Sequence, residues 1–283
     1  MRKLIIILLL NTLITSTHAQ INIWEGTHVR KCIELTPYKA IDNQIMPKVS
    51  IIICPGGSYF WHDIETEGHE VGRWLQKNGI TSFVLNYRTA YVPAFITHYR
   101  KIFRGNRYPD PQDDLCQAIR YIKSHAEDYE IDASKIGVMG FSAGGHLAMC
   151  GAEFFNIEDR PNFVVAVYPV VTMTEKCVHK RSRRGLLGDS KTHNKKLRDL
   201  LSLERHVPDD CPPVFVVNCI DDPIVDYRNS VLLDSALRAK HINHSYIQFK
   251  TGGHGFGASE HKGTVECRQW KFLFLEWINK LFK

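Results

Sequence analysis

Short apolar or β-branched runs recur along this 283-residue chain, separated by longer stretches with helical spacing. That alternation constrains the fold more than any other feature. It predicts strands over Val49–Cys54, Thr81–Tyr87, Lys135–Gly140, Phe163–Tyr168, Val214–Cys219 and Ser245–Phe249. Several are apolar throughout, as strands buried on both faces of a parallel sheet must be. Helices are predicted between and after them, over Glu67–Lys77, Asp113–Ala126, Ala143–Glu153, Tyr227–Lys240 and Thr264–Phe282. The expected architecture is α/β, a mostly parallel central sheet flanked by helices. No linker, repeat or low-complexity tract divides it, so residues 20–283 are expected to form a single domain.

Residues 1–19 stand apart from that pattern. Arg2 and Lys3 precede an apolar run from Leu4 to Leu10, and Thr17-His18-Ala19 places small residues before a cut. This is the order of a secretory signal peptide, cleaved before Gln20. The run is broken by Asn11, Thr12 and Thr15 to Thr17, which leaves it short of the roughly 20 apolar residues of a membrane span. Removing it lowers the formal charge from +6 to +4, because Arg2 and Lys3 go with it. No long basic stripe is present, so nucleic acid is not an expected partner. Eight cysteines are spread along the chain without a CxxC pair, which gives no support for a zinc site. Cys54, Cys150 and Cys219 lie on strand or helix runs and read as buried free thiols.

In open α/β sheets, ligands bind beyond the carboxyl ends of the strands. Three such ends carry chemistry. The third predicted strand runs into Gly140-Phe141-Ser142-Ala143-Gly144-Gly145-His146 and then a helix, which is G-x-S-x-G in strand–turn–helix context. Ser142 is the candidate nucleophile, and the Ala143 N–H at the helix start a candidate oxyanion donor. The first predicted strand ends at Cys54-Pro55-Gly56-Gly57-Ser58-Tyr59, where the Gly57 and Ser58 N–H groups are the expected partners of Ala143. Tyr59 is the candidate substrate contact. The last predicted strand leads to Thr251-Gly252-Gly253-His254-Gly255-Phe256-Gly257, whose glycines let a loop carry His254 to the serine as its base. His146 is the rival, placed on the helix behind the nucleophile. The acid is expected in Asp221-Asp222-Pro223-Ile224-Val225-Asp226, where any of three aspartates could reach a histidine. Asp222, fixed by the following proline, is preferred over Asp221. The chain order Ser142, Asp222, His254 is that of α/β-hydrolases.

The sequence resembles the bacterial α/β-hydrolase esterases related to acetylxylan and feruloyl esterases. The resemblance runs from about Pro47 to the C-terminal helix. It is carried by Pro55-Gly56-Gly57-Ser58-Tyr59, Glu67-Gly68, Asn86-Tyr87-Arg88, Tyr108-Pro109 and the stretch from Gly140 to Ala148. It continues through Tyr168-Pro169, Leu186-Leu187-Gly188, Pro212-Pro213, Asp221-Asp222 and the glycines from 252 to 257. It implies the α/β-hydrolase fold, with Ser142 as nucleophile, Asp222 as acid and His254 as base. Two positions depart from the pattern: Ser58 replaces a third glycine, and Asp226 replaces the proline often found after Val225. Residues 90–105 are aromatic and basic, and read either as a flap near the site or as a helix with Tyr91, Phe95, Tyr99 and Phe103 on one face. The run His179-Lys180-Arg181-Ser182-Arg183-Arg184 reads as a solvated loop, or as an attractor of acidic polysaccharide.

The function expected from this resemblance is that of a secreted or periplasmic serine esterase. It would deacetylate plant-type polysaccharide, or release feruloyl groups, with no metal or organic cofactor. A peptidase of the prolyl-oligopeptidase type shares the catalytic order but carries a large extra domain, for which 264 residues leave no room. A non-catalytic carbohydrate-binding protein on the same fold is disfavoured because all three triad positions are filled.

Overall fold

The computed structural model of the chain describes residues 20–27, 33–42, 48–96 and 105–283. Its strands are β1 (Ile21–Asn22), β2 (Glu34–Tyr38), β3 (Ser50–Cys54), β4 (Thr81–Leu85), β5 (Ile136–Phe141), β6 (Phe163–Val167), β7 (Val214–Cys219) and β8 (His244–Phe249). They form one sheet in the order β1-β2-β4-β3-β5-β6-β7-β8. From β3 to β8 every pairing is parallel, while β1 and β2 add to the β4 side antiparallel. The apolar runs behave as their composition requires: every residue of β3, β4, β5, β6 and β7 is buried. β8 lies at the edge, and only Phe249 of its six residues is buried.

Nine α-helices connect and cover the strands among the described residues: α1 (Glu70–Lys77), α2 (Val92–Ile96), α3 (Asp110–Ser124), α4 (Ala143–Phe154), α5 (Lys180–Leu187), α6 (Lys195–Leu200), α7 (Arg228–Ala239), α8 (Val265–Arg268) and α9 (Trp270–Leu281). Strand side chains alternate between two faces, so the sheet separates two cores. One packs Ile52, Val138, Val164 and Val216 against α3, α4 and α7 through Leu115, Ile119, Leu147 and Leu233. The other packs Ile51, Met139, Val165 and Phe215 against α1 and α9 through Val71, Leu75, Trp270 and Phe274.

The structure adds elements to those predicted. β1, β2, α5 and α6 are new, a π-helical turn (Glu65–His69) leads into α1, and the expected C-terminal helix divides at Gln269. The basic run is therefore a helix, not a loop. Of residues 90–105, Val92–Ile96 form α2, and 97–104 lie outside the described residues. So do residues 1–19, where the signal peptide is expected. Cys54, Cys150 and Cys219 are buried and free.

Candidate active site

Parallel pairing brings the carboxyl ends of β3, β5, β7 and β8 to one edge of the sheet, and the expected site residues meet there. Ser142 occupies the turn from β5 to α4 at φ 54° and ψ −117°, backbone values that a residue with a side chain adopts only under strain. The flanking glycines make the turn possible. A Cβ on Gly140 would strike the Gly144 carbonyl, and one on Gly144 would strike the Cys54 carbonyl. Ser142 Oγ stands 3.0 Å from His254 Nε2, and His254 Nδ1 stands 2.6 Å from Asp222 Oδ2. A carboxylate there can only accept, so Nδ1 carries the proton and Nε2 is left to accept from the serine hydroxyl.

The structure separates the three aspartates. Asp222, with 1% of its side chain exposed, reaches His254, while its Oδ1 accepts the N–H groups of Ile224 and Val225 at 2.8 and 2.9 Å. Asp221 instead accepts the N–H groups of Gly252 and Gly253, bracing the loop that carries the histidine. Asp226 binds Arg228 at the start of α7, which holds its carboxyl below the usual range. His146 lies wholly buried behind the serine. Tyr59 donates to its Nδ1 at 2.9 Å, and its Nε2–H donates to the Leu201 carbonyl at 3.0 Å. Burial lowers its pKa to about 4.

The loop after β3 holds three successive positive φ angles, 132° at Gly57, 58° at Ser58 and 62° at Tyr59. Tyr87 supports it from beneath by donating to the Pro55 carbonyl at 2.6 Å. The Gly56 N–H is engaged by Glu67 Oε2 at 2.7 Å. The Gly57 and Ser58 N–H groups, and Ala143 N–H in the first turn of α4, have no intramolecular backbone acceptor among the described residues. The expectation that Tyr59 contacts substrate is corrected here. Its left-handed backbone turns the ring inward, where it is 1% exposed and packs edge-on against Tyr87 and His146.

Beside this loop opens a cavity of about 340 Å³, lined in part by Phe60, Trp61, His62, Arg88, Tyr91 and Val92. A Cβ on Gly57 would lie 2.9 Å from Trp61 Cδ1, so the indole forms the wall between cavity and loop. Phe95 of α2 packs edge-on against Trp61 at 5.2 Å between ring centres. The basic run packs against α2, with Arg184 donating to the carbonyls of Ala94 and Phe95 and to Asp189. Its first residue, His179, bonds Ser182 at 2.8 Å; burial, His254 and Arg181 lower its pKa to about 4. Glu67 and Tyr168 enter the sequence reading of the site only as carriers of the resemblance, and His179 only as part of the basic run. The Glu67–Tyr168 bond and the influence of His254 on His179 have no signal in the sequence, because the partners lie far apart along the chain. Among the described residues, no group of three or more His, Cys, Asp or Glu side chains could hold a metal ion, and no helix is long and apolar enough to cross a membrane.

The chain is similar to several known proteins. Endo-1,4-beta-xylanase B of Butyrivibrio fibrisolvens is 32% identical over 228 residues, covering 76% of this chain and 33% of its own length. The acetylxylan esterase of Xylanibacter ruminicola is 32% identical over 210 residues, covering 74% of this chain and 41% of its own. The chain thus spans well under half the length of these two curated relatives. Among solved structures, an acetyl ester-xyloside bifunctional hydrolase from Caldicellulosiruptor lactoaceticus superposes with a TM-score of 0.80 at 29% identity, covering 93% of this chain and 96% of that one. An esterase from Thermogutta terrifontis, Est2, shares the α/β-hydrolase fold with a TM-score of 0.72 at 18% identity, over 94% and 92% of the two chains. The family model described as BD-FAE matches residues 42–237, a stretch that holds every strand end from β3 to β7, and the chain belongs to that family.

Proposed function

We propose that this chain is a serine carboxylic-ester hydrolase that removes acetyl groups from xylan-type polysaccharide or oligosaccharide. The observation that carries the proposal is the hydrogen-bonded line from Ser142 Oγ through His254 to Asp222, set beside the N–H groups of Gly57, Ser58 and Ala143. His254 Nε2 takes the serine proton as Oγ attacks the ester carbonyl. Asp222 holds the ring in the required tautomer and stabilises the imidazolium. The carbonyl oxygen becomes an oxyanion met by the three N–H groups, two from the β3 loop and one from the positive end of α4. The tetrahedral species collapses, the sugar hydroxyl leaves with the proton from His254, and water repeats the sequence on the acyl-enzyme. The relatives named for xylan and its esters support this substrate class.

Ser142→Ala should lower turnover of p-nitrophenyl acetate by about 10⁴-fold, and a near-wild-type rate would remove the assignment. Acid release from acetylated xylan, acetylated xylo-oligosaccharides and methyl ferulate, measured side by side, separates deacetylation from feruloyl release. Residues 20–283 act as one catalytic domain in this reading, exported behind a signal at 1–19. The mass of protein recovered outside the cytoplasm should correspond to a chain beginning at Gln20, and a mass that includes Met1 would contradict export with cleavage.

A further inference from the structure

We propose that Glu67 is a positioning residue, a carboxyl clasp that holds the oxyanion loop and the histidine loop in register on either side of Ser142. The inference rests on the esterase reading above and goes beyond the triad and the oxyanion donors. Glu67 lies in the π-helical turn before α1, shortly after the oxyanion loop but remote in sequence from the histidine loop, and is 3% exposed. One carboxyl oxygen, Oε2, accepts the Gly56 N–H at 2.7 Å. The other, Oε1, accepts the Tyr168 hydroxyl at 2.9 Å, and that hydroxyl accepts the Gly257 N–H at 3.0 Å. A single side chain therefore joins the loop after β3 to the loop after β8, with one tyrosine between.

The surroundings show how close this clasp lies to the chemistry. A Cβ on Gly56 would stand 2.5 Å from Glu67 Oε2 and 2.8 Å from Ser142 Cβ, so only a glycine backbone separates carboxyl and nucleophile. The Tyr168 ring packs against the His254 imidazole at 4.4 Å between centres and edge-on against Phe256 at 4.7 Å. A Cβ on Gly257 would strike the Thr66 carbonyl, so the histidine loop also lies directly on the turn that carries Glu67. Burial raises the Glu67 pKa, while positive charge on His254 and the bonds from Tyr168 and Gly56 favour the carboxylate. The group that fixes the geometry is thus also electrically coupled to the base.

The clasp acts on the transition state. The oxyanion exists only after attack, and donors that drift from its position lose their effect there without weakening ground-state binding. Glu67→Gln keeps the shape but sets an amide N–H either against the Gly56 N–H, donor to donor, or against the Tyr168 hydroxyl, whose own buried proton then loses its acceptor, so the clasp is weakened in either orientation. Tyr168→Phe keeps the ring against His254 and removes only the hydroxyl. With p-nitrophenyl acetate, each variant should lower kcat by about 10- to 100-fold and leave KM within about threefold of wild type. The double variant should be no worse than the more damaged single one, because the two residues form one chain of bonds. Glu67→Asp is too short to reach both loops and should not restore the rate.

Circular dichroism and thermal melting identify variants that fold. Should Glu67→Gln fail to fold, Tyr168→Phe decides alone. A folded variant with kcat within twofold of wild type, or losses that multiply in the double variant, overturns the clasp. Loss confined to KM overturns it too. A wild-type chain that hydrolyses no ester overturns the esterase reading, and the clasp with it, whereas an active wild type with undisturbed variants overturns the clasp alone.

Discussion

His146 shows what burial does to a single titratable side chain beside a reactive one. Its two ring nitrogens are both satisfied in the neutral form, one accepting from Tyr59 and one donating to Leu201. An unfolded chain takes up a proton at this imidazole below about pH 6.5, the folded chain only below about 4. Folding stability therefore falls as pH drops from 6.5 to 4, by roughly 3 kcal/mol for this group, and levels off beneath. His62 and His179 titrate in the same window, each lowered to about 4 chiefly by burial. In urea denaturation at stepped pH, His146→Gln should therefore show a shallower slope between pH 6.5 and 4 than wild type, and parallel curves would refute the assignment. At this scale Ser142 and His254 were legible because glycines mark the turns that expose them. Asp222 was one of three, and the choice is made by the Ile224 and Val225 N–H groups, which no residue type announces. Tyr59 misled for a related reason: a residue next to an oxyanion loop suggests exposure, but its positive φ directs the ring into the core.

At the scale of elements, α5 forms against its own local preferences. Four cationic residues crowd its first five positions, at the end where the helix dipole disfavours positive charge, and no side chain caps it. Tertiary contacts supply what the sequence lacks. Arg183 donates to the Met173 carbonyl at 2.9 Å, Arg184 holds the carbonyls of α2 and lies over the Phe60 ring, and Arg181 lies over Phe95. A run of Lys and Arg reads as solvated surface precisely where such partners are distant in sequence, which is why it appeared to be a loop. The helix also meets the oxyanion loop directly. A Cβ on Gly185 would strike the Ser58 carbonyl and lie 3.0 Å from Tyr59 Cβ. Gly185→Ala should displace that loop and lower kcat on p-nitrophenyl acetate by about tenfold or more, while a rate equal to wild type would show that the loop tolerates the extra methyl.

For the molecule as a whole, the parallel half of the sheet was the legible half. Strands buried on both faces are written as unbroken apolar runs, whereas β1 is two residues long and β2 contains Pro37. That proline lies beyond the end of β1, where one side of β2 has no strand partner among the described residues, so its missing N–H costs the ladder nothing. The added edge is tied to the rest through Asp114 on α3, fully buried, which accepts from Trp24 Nε1 at 2.8 Å and from Arg88 after β4. The strain at Ser142 is set against this whole framework. Its φ of 54° and ψ of −117° suit glycine and burden any residue with a Cβ. Ser142→Gly and Ser142→Ala both lack the hydroxyl, but only the glycine relieves the backbone. The glycine variant should therefore unfold at higher urea than the alanine variant, by about 1 kcal/mol, and the opposite order would deny the strain. Were folding the sole demand on this chain, a glycine at position 142 would serve it better than the serine does, so the nucleophile costs the molecule durability at the very turn that exposes it.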